Sequence, residues 1–206
     1  ENIKWFSEII SKHIPIVFID SEAESSGRIG QIMTMKYEGA RKATQHLIHK
    51  GHQHIGMIAC KANQPIEFDR VRGYRDALIN SGIPYREELV ILEGSPEIED
   101  GYLNTHKLMI NHPEISAIFC FNDLMAMGCI QACKDLGKRI PEDIAVVGYD
   151  DIRFSSLLTP SLTTIQVNKE ELGIQAASLL IKMLKNPNEV YPTHYIETNL
   201  VVRESA

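Results

Sequence analysis

Five carboxylate or amide side chains in this chain stand directly after short apolar runs. Asp20 closes Pro15-Ile-Val-Phe-Ile-Asp20, Asn122 and Asp123 close Ala117-Ile-Phe-Cys-Phe-Asn-Asp123, and Asp150 and Asp151 close Ile144-Ala-Val-Val-Gly-Tyr-Asp-Asp151. Groups of this kind accept or share hydrogen bonds with ligand hydroxyls. Two carboxylates flanking a scissile bond would instead serve acid–base chemistry. Adjacent residues point in different directions, so one of Asp150 and Asp151 can face a ligand while the other orients the loop. Arg70 opens a helix after the loop 61–69, just past the end of another apolar run. Its planar fork of donors suits hydroxyls or a carboxylate. Arg72 and Arg75 read as the solvated face of the same helix.

Two further clusters read as structural. In His46-Leu-Ile-His-Lys-Gly-His-Gln-His54, two histidines lie on a helix and two on the turn after Gly51. That arrangement defines no ligand geometry, so solvated turn histidines are expected. Cys60, Cys120, Cys129 and Cys133 read as buried, reduced thiols. Cys129 and Cys133 are one helical turn apart but lack a second pair of ligands, so no metal and no cofactor are expected. No Gly-x-Gly-x-x-Gly, Gly-Lys-Ser/Thr loop, Gly-x-Ser-x-Gly or His-Glu-x-x-His occurs. The expectation is a binding module and not an enzyme.

The 206 residues, 44% hydrophobic and 23% charged, suit one large domain or two small lobes with an ordinary core. A formal net charge of -6 gives no basic face for phosphates, so this stretch itself is not expected to hold nucleic acid. No apolar run approaches the roughly 18 residues of a membrane span. The start, Glu1-Asn-Ile-Lys-Trp, reads as a polar amphipathic helix and not as a secretion signal. A cytoplasmic protein is expected.

The elements that must position these groups alternate along the chain. Helical periodicity covers 3–12, with Ile3, Phe6, Ile9 and Ile10 on one face, then 38–50 stopped by Gly51, 70–80, 101–110, 124–136 stopped by Gly137, and 169–184. Strand signals cover 16–19, 31–35, 55–60, 89–92, 118–121, 145–147 and 195–202. Alternation predicts right-handed crossovers and parallel sheets covered by helices. Ligands settle beyond the carboxyl ends of such strands, which makes the five strand-end groups candidates for one polar site. Only one strand precedes the polar stretch at Ser21, and a lone parallel strand needs neighbours. The chain is therefore expected to begin inside a lobe whose earlier part is absent. The stretches 163–169 and 191–194 read as crossings between two lobes, which would make a hinged cleft.

Several segments together resemble the effector-binding core of the LacI/GalR family of bacterial transcriptional regulators, which includes the lactose and purine repressors. They are Ile14-Pro-Ile-Val-Phe-Ile-Asp20, Gly39-Ala-Arg-Lys-Ala-Thr-Gln-His-Leu-Ile48, Gly51-His-Gln-His-Ile-Gly56 and Arg70-Val-Arg-Gly-Tyr74. Phe121-Asn-Asp-Leu-Met-Ala-Met-Gly128, Ile140-Pro-Glu-Asp-Ile-Ala-Val-Val-Gly-Tyr-Asp-Asp151, Pro160-Ser-Leu-Thr-Thr-Ile165 and Leu200-Val-Val-Arg-Glu-Ser205 complete the set. The resemblance implies an α/β, type I periplasmic-binding-protein-like fold: two doubly wound parallel-sheet lobes joined by crossings, the first incomplete. Residues 1–34 and 168–190 are assigned to the N-terminal lobe, and 35–167 and 191–206 to the C-terminal lobe.

The resemblance also implies a small-molecule effector, a sugar before a purine, and a homodimer. Operator DNA would be bound through a helix-turn-helix headpiece absent from this sequence. By position, Asp20, Arg70, Asn122 and Asp150 match residues that contact effector in the family. Met127, Ile130 and Leu158 fall where the family dimerises. Two positions depart from the common pattern: Met35-Lys36 replaces an Asp-Asn pair, and Pro96 stands where many members carry an aromatic. Losing that ring removes an apolar contact with a sugar or base face. The alternative is an extracytoplasmic sugar-binding protein of a transport system, with the same fold and no DNA role.

Overall fold

The computed structural model describes residues 14–23, 28–60 and 68–206. The helix expected at 3–12 and most of the loop 61–69 lie outside them. In chain order the elements are β1 (Ile16–Ile19), β2 (Ile29–Thr34), α1 (Lys36–His49), β3 (Ile55–Ala59), α2 (Phe68–Asn80), β4 (Val90–Leu92) and α3 (Ile98–Asn111). They continue with β5 (Ala117–Cys120), α4 (Asp123–Asp135), β6 (Ala145–Asp150), β7 (Thr163–Val167), α5 (Lys169–Lys185), β8 (His194–Ile196) and β9 (Thr198–Val201). They form two compact units. One contains the residues up to Met35 with Asn168–Glu197, the other Lys36–Val167 with Thr198–Ala206.

The first unit is a parallel sheet in the order β1-β2-β8 covered by α5. The strand at 16–19 is not alone, as its surroundings in the sequence suggested. Ile16 to Ile19 pair with Ile29 to Ile32, and Ile32 to Thr34 pair with His194 to Ile196. Asn168 caps α5 by accepting the Glu171 amide at 3.0 Å. Leu172, Ala176, Leu179 and Met183 then recur at helical spacing and are the buried face,. That face lies close on the sheet: a Cβ at Gly30 would meet Leu179 Cδ2 at 2.7 Å. A sheet this small fits an incomplete lobe.

The second unit is built on six strands in the order β4-β3-β5-β6-β7-β9, parallel except for β9, which runs antiparallel to β7. β3 and β5 are buried along their whole length, as expected of parallel strands covered on both faces. Neighbouring residues of β6 show the two layers. A Cβ at Gly148 would meet Asp123 and Ala126 of α4, whereas the Tyr149 hydroxyl lies within 2.4 Å of a Cβ built at Gly39 of α1. Successive strand residues face opposite sides, so α1 and α4 cover opposite faces. Between α3 and α4 the backbones approach so closely that a Cβ at Gly101 would lie 2.3 Å from the Met125 carbonyl oxygen. On the α4 side the core gathers Ile58, Ile118, Val146, Leu108, Met125 and Cys129.

Three expectations change here. The run at 163–167 is a full strand of the second sheet and not a free crossing, because Thr163, Thr164 and Ile165 are buried between β6 and β9. The single strand expected at 195–202 is two strands in two sheets. Ile196 pairs with β2 and Thr198 with β7, and the exposed Glu197 is the switch between them. Residues 191–197 consequently belong with the first unit and not the second, since main-chain pairing with β2 holds 194–196.

Candidate ligand-binding site

At the carboxyl end of the second sheet, Arg70 is the third residue of α2 and is only 8% exposed. Its guanidinium lies over two rings, with Cζ 4.3 Å from the Phe121 centroid and 3.8 Å from that of Tyr149. One terminal nitrogen donates to the Phe121 carbonyl oxygen, and the other donates to Asp150 Oδ1 at 3.3 Å. The Arg70 Nε is buried and has no hydrogen-bond partner among the described residues. A cation over an aromatic face gains on the order of 1–2 kcal/mol per contact where water is excluded. It also keeps its donors in one plane. Phe121 and Tyr149 immediately precede Asn122 and Asp150, so each strand end supplies a ring and a polar group. The sequence reading missed the two rings; the repeated aromatic-then-polar dipeptide was the available signal.

The five strand-end groups divide by role. Asp150 faces Arg70 with its side chain 31% exposed and sits at φ 104. Asp151, at φ 45, orients the loop: its carboxylate accepts from Arg203 at 2.7 Å and from Gln166 at 3.0 Å. Asn122 caps α4, accepting the Met125 amide at 2.8 Å, and donates to the Pro96 carbonyl oxygen at 2.8 Å. Its side chain thus ties the Pro96 loop to the helix start. Asp123 is 1% exposed and accepts from the Ile152 amide, Ser155 and Thr164. Burial pushes its carboxyl up from the ordinary range; the three hydrogen bonds oppose this, and the charge of Asp150 adds to it. Asp20 lies in the first unit, at the end of β1. Its carboxylate accepts the Thr34 amide at 2.7 Å and the Thr34 hydroxyl at 2.8 Å.

Of the residues expected at a dimer interface, Ile130 is corrected: at 4% exposure it belongs to the core of its own chain. Met127 is half-buried on α4, and Leu158 is partly buried against the same core. The apolar side chains that do reach the surface nearby are Phe154 and Leu157, 59% and 70% exposed. All four cysteines are buried. Hydrogen bonding among Cys120, Cys129 and Cys133 and their burial hold the last two thiols far above the ordinary range. Among the described residues no group of three or more His, Cys, Asp or Glu side chains is arranged to hold a metal. Arg72 pairs with Asp69, and Arg75 with Asp76, on the exposed face of α2.

Grooves elsewhere lack this chemistry. One of about 560 Å³ in the first unit is lined by exposed Lys182, Glu189 and His194. One of about 320 Å³ runs beside β4 and α3. Neither is lined by a buried charge.

This architecture is that of a two-unit binding fold with a polar, arginine-centred face at its strand ends. Residues 44–206 match the family described as periplasmic binding protein-like domain. The chain is 37% identical over 194 residues to the HTH-type transcriptional repressor PurR of Photorhabdus laumondii, covering 94% of this chain and 57% of that protein. The Yersinia pestis protein of the same name is 35% identical with the same coverage. Among solved structures, a complex of the transcriptional regulator CelR with cellobiose superposes with a TM-score of 0.85 at 31% identity, covering 92% of this chain and 58% of that one. A LacI family transcriptional regulator from Enterococcus faecium with bound ribose gives 0.86 at 28% identity, covering 97% and 74%. The chain belongs to the periplasmic-binding-protein-like family, as an effector-binding domain of the LacI type. It spans little more than half the length of the repressors it matches. Those relatives are transcriptional regulators, not enzymes. No described helix is long and apolar enough to cross a membrane.

Proposed function

We propose that this chain is the effector-sensing part of an intracellular transcriptional repressor. A small hydroxylated ligand is recognised at the carboxyl ends of β3, β5 and β6. The observation that carries this reading is the Arg70 guanidinium, held over Phe121 and Tyr149 and paired with the partly exposed Asp150 at the strand ends. The arginine holds Asp150 in place, and the exposed part of that carboxylate can face a ligand,. Asp150 then accepts from a ligand hydroxyl. Asn122 acts by holding the Pro96 loop, and Asp20 is the first unit's candidate contact.

A sugar is preferred over a purine because the face offers charged groups that hydrogen-bond to hydroxyls. The relatives with bound cellobiose and ribose support that preference. The reading further assigns a homodimer, formed through the segment carrying Leu157 and Leu158 with Met127. It assigns operator DNA to a headpiece outside this sequence.

A thermal-shift screen of the 206-residue chain against ribose, cellobiose, sugar phosphates and purine bases tests the ligand. A sugar that raises the melting temperature and binds by calorimetry supports the reading. Asp150→Asn then weakens it roughly tenfold or more, the scale of one lost charged hydrogen bond. Equal affinity in Asp150→Asn and Arg70→Lys would remove both residues from the site.

A further inference from the structure

We propose that Asp123 is a positioning residue for the ligand site: its buried carboxylate fixes the segment 151–155 and thereby where Asp150 presents its own carboxylate. The inference rests on the reading of Asp150 as a ligand contact.

Asp123 begins α4, and three donors converge on it. Its Oδ2 accepts from the Ile152 amide at 2.8 Å and from Ser155 Oγ at 2.7 Å, and its Oδ1 accepts from Thr164 Oγ1 at 2.5 Å. Two of the donors lie in the segment that follows Asp150. The third lies on β7, where Thr164 is the register partner of Gly148, two residues before Asp150. The carboxylate therefore ties the segment that follows Asp150 to β7, the strand paired with the end of β6. The seat depends on a glycine, since a Cβ at Gly148 would lie 2.3 Å from Asp123 Oδ1.

The turn needs such a grip. Asp150 and Asp151 occupy consecutive left-handed backbone conformations, with φ 104 and 45. Non-glycine residues are disfavoured there and persist only where their surroundings over-determine them. Arg203 and Gln166 hold Asp151 from one side; Asp123 holds the next residue, Ile152. Beyond Ser155 the same segment exposes Leu157, 70% accessible. One buried carboxylate thus connects the group proposed to meet ligand with the apolar surface proposed to meet a second copy. The two are joined by one continuous stretch, 151–157.

Asp123→Asn, Ser155→Ala and Thr164→Val in the 206-residue chain test this by hydrogen–deuterium exchange, with β3 and β5 as internal reference. Asp123→Asn is expected to raise exchange of 151–158 roughly tenfold or more while the reference strands are unchanged, the pattern of local opening. Ser155→Ala and Thr164→Val give smaller rises in the same place. Unchanged exchange at 151–158, or a uniform rise that includes β3 and β5, overturns the proposal. If Asp123→Asn fails to fold, the two milder variants decide by the same criterion.

Calorimetry with ribose and cellobiose supplies the readout that mere structural support would not move. Asp123→Asn should weaken a bound sugar, yet add nothing to the loss already caused by Asp150→Asn, because the two act through one group. Fully additive losses, or an unchanged Kd in Asp123→Asn, overturn the positioning role. If neither sugar binds the unmodified chain, the sugar reading fails while the exchange result still decides the grip.

Discussion

Asp20 and Asp150 close strands in the same way, but the two units use them differently. Both sit in the left-handed region, at φ 52 and 104. Asp20 turns its carboxylate onto Thr34, at the end of the adjacent strand, where it accepts from both the amide and the hydroxyl. Asp150 meets the end of a guanidinium that approaches from α2 over two rings. The contrast comes from what the neighbouring elements deliver. β2 brings a hydroxyl, which fastens strand ends together. α2 brings a cation, which holds a partly exposed carboxylate at the strand end. A strand-end aspartate is therefore a place where a site can be built; its neighbours decide whether one is.

The largest expected effect that tests this contrast is at Arg70. Arg70→Met keeps apolar volume against Phe121 and Tyr149 but leaves the Phe121 carbonyl oxygen and Asp150 without their cation. Urea unfolding is expected to show a loss of about 3 kcal/mol, the range for breaking a mostly buried ion pair. A loss under about 1 kcal/mol would mean that the stacked arginine is held for binding alone and is not part of the fold. Arg70→Lys should recover only part of the loss, since an ammonium cannot stack flat or fork to two acceptors.

Next in size is Asp20→Ala, expected to cost about 1–2 kcal/mol from the two lost hydrogen bonds to Thr34. Asp20→Gly should cost about 1 kcal/mol less than Asp20→Ala, because glycine tolerates the left-handed backbone. The same glycine advantage at Asp150 separates backbone strain from carboxylate chemistry at both positions. Sugar affinity then distinguishes the units. Asp150→Gly should abolish the charged contact, whereas Asp20→Asn, which keeps acceptors for Thr34, should change affinity less. Equal losses would make the two aspartates alike after all.

Much of this was legible in the sequence because parallel strands buried on both faces read as continuous apolar runs, and their ends are marked where polarity returns. The runs ending at Asp20, Asn122 and Asp150, and the helix stops at Gly51 and Gly137, follow from local chemistry alone. Pairing was not legible. Tyr195 to Val202 is one extended, half-apolar stretch, and nothing local says that Ile196 joins β2 while Thr198 joins β7. Arg70 was placed at the strand ends by position; its contacts with Phe121 and Tyr149 required knowing that the start of α2 lies beside the ends of β5 and β6. Ile130 shows the converse error: an apolar residue on α4 is equally consistent with a surface seam and with the core, and only packing decides.

The smallest expected effect lies at the opposite end of the second sheet, where β3 and β5 begin. His52 Nδ1 shares a 2.9 Å hydrogen bond with Ser116 Oγ, and His46 has a buried Nε2 without a partner. Burial holds both histidines below the ordinary value; for His46 a backbone hydrogen bond at Ala206 opposes this, and for both the charge of Lys50 reinforces it. The unfolded chain therefore takes up protons first as the pH falls. The contribution of these side chains is fully present above the ordinary histidine value of about 6.5 and is lost as the pH drops through the lower folded values. Urea midpoints should decline in that window. His46→Gln with His52→Asn should flatten the decline. A slope that survives the double histidine variant would place the acid sensitivity elsewhere, and the amino ends of the strands would then be inert supports for the chemistry at their carboxyl ends.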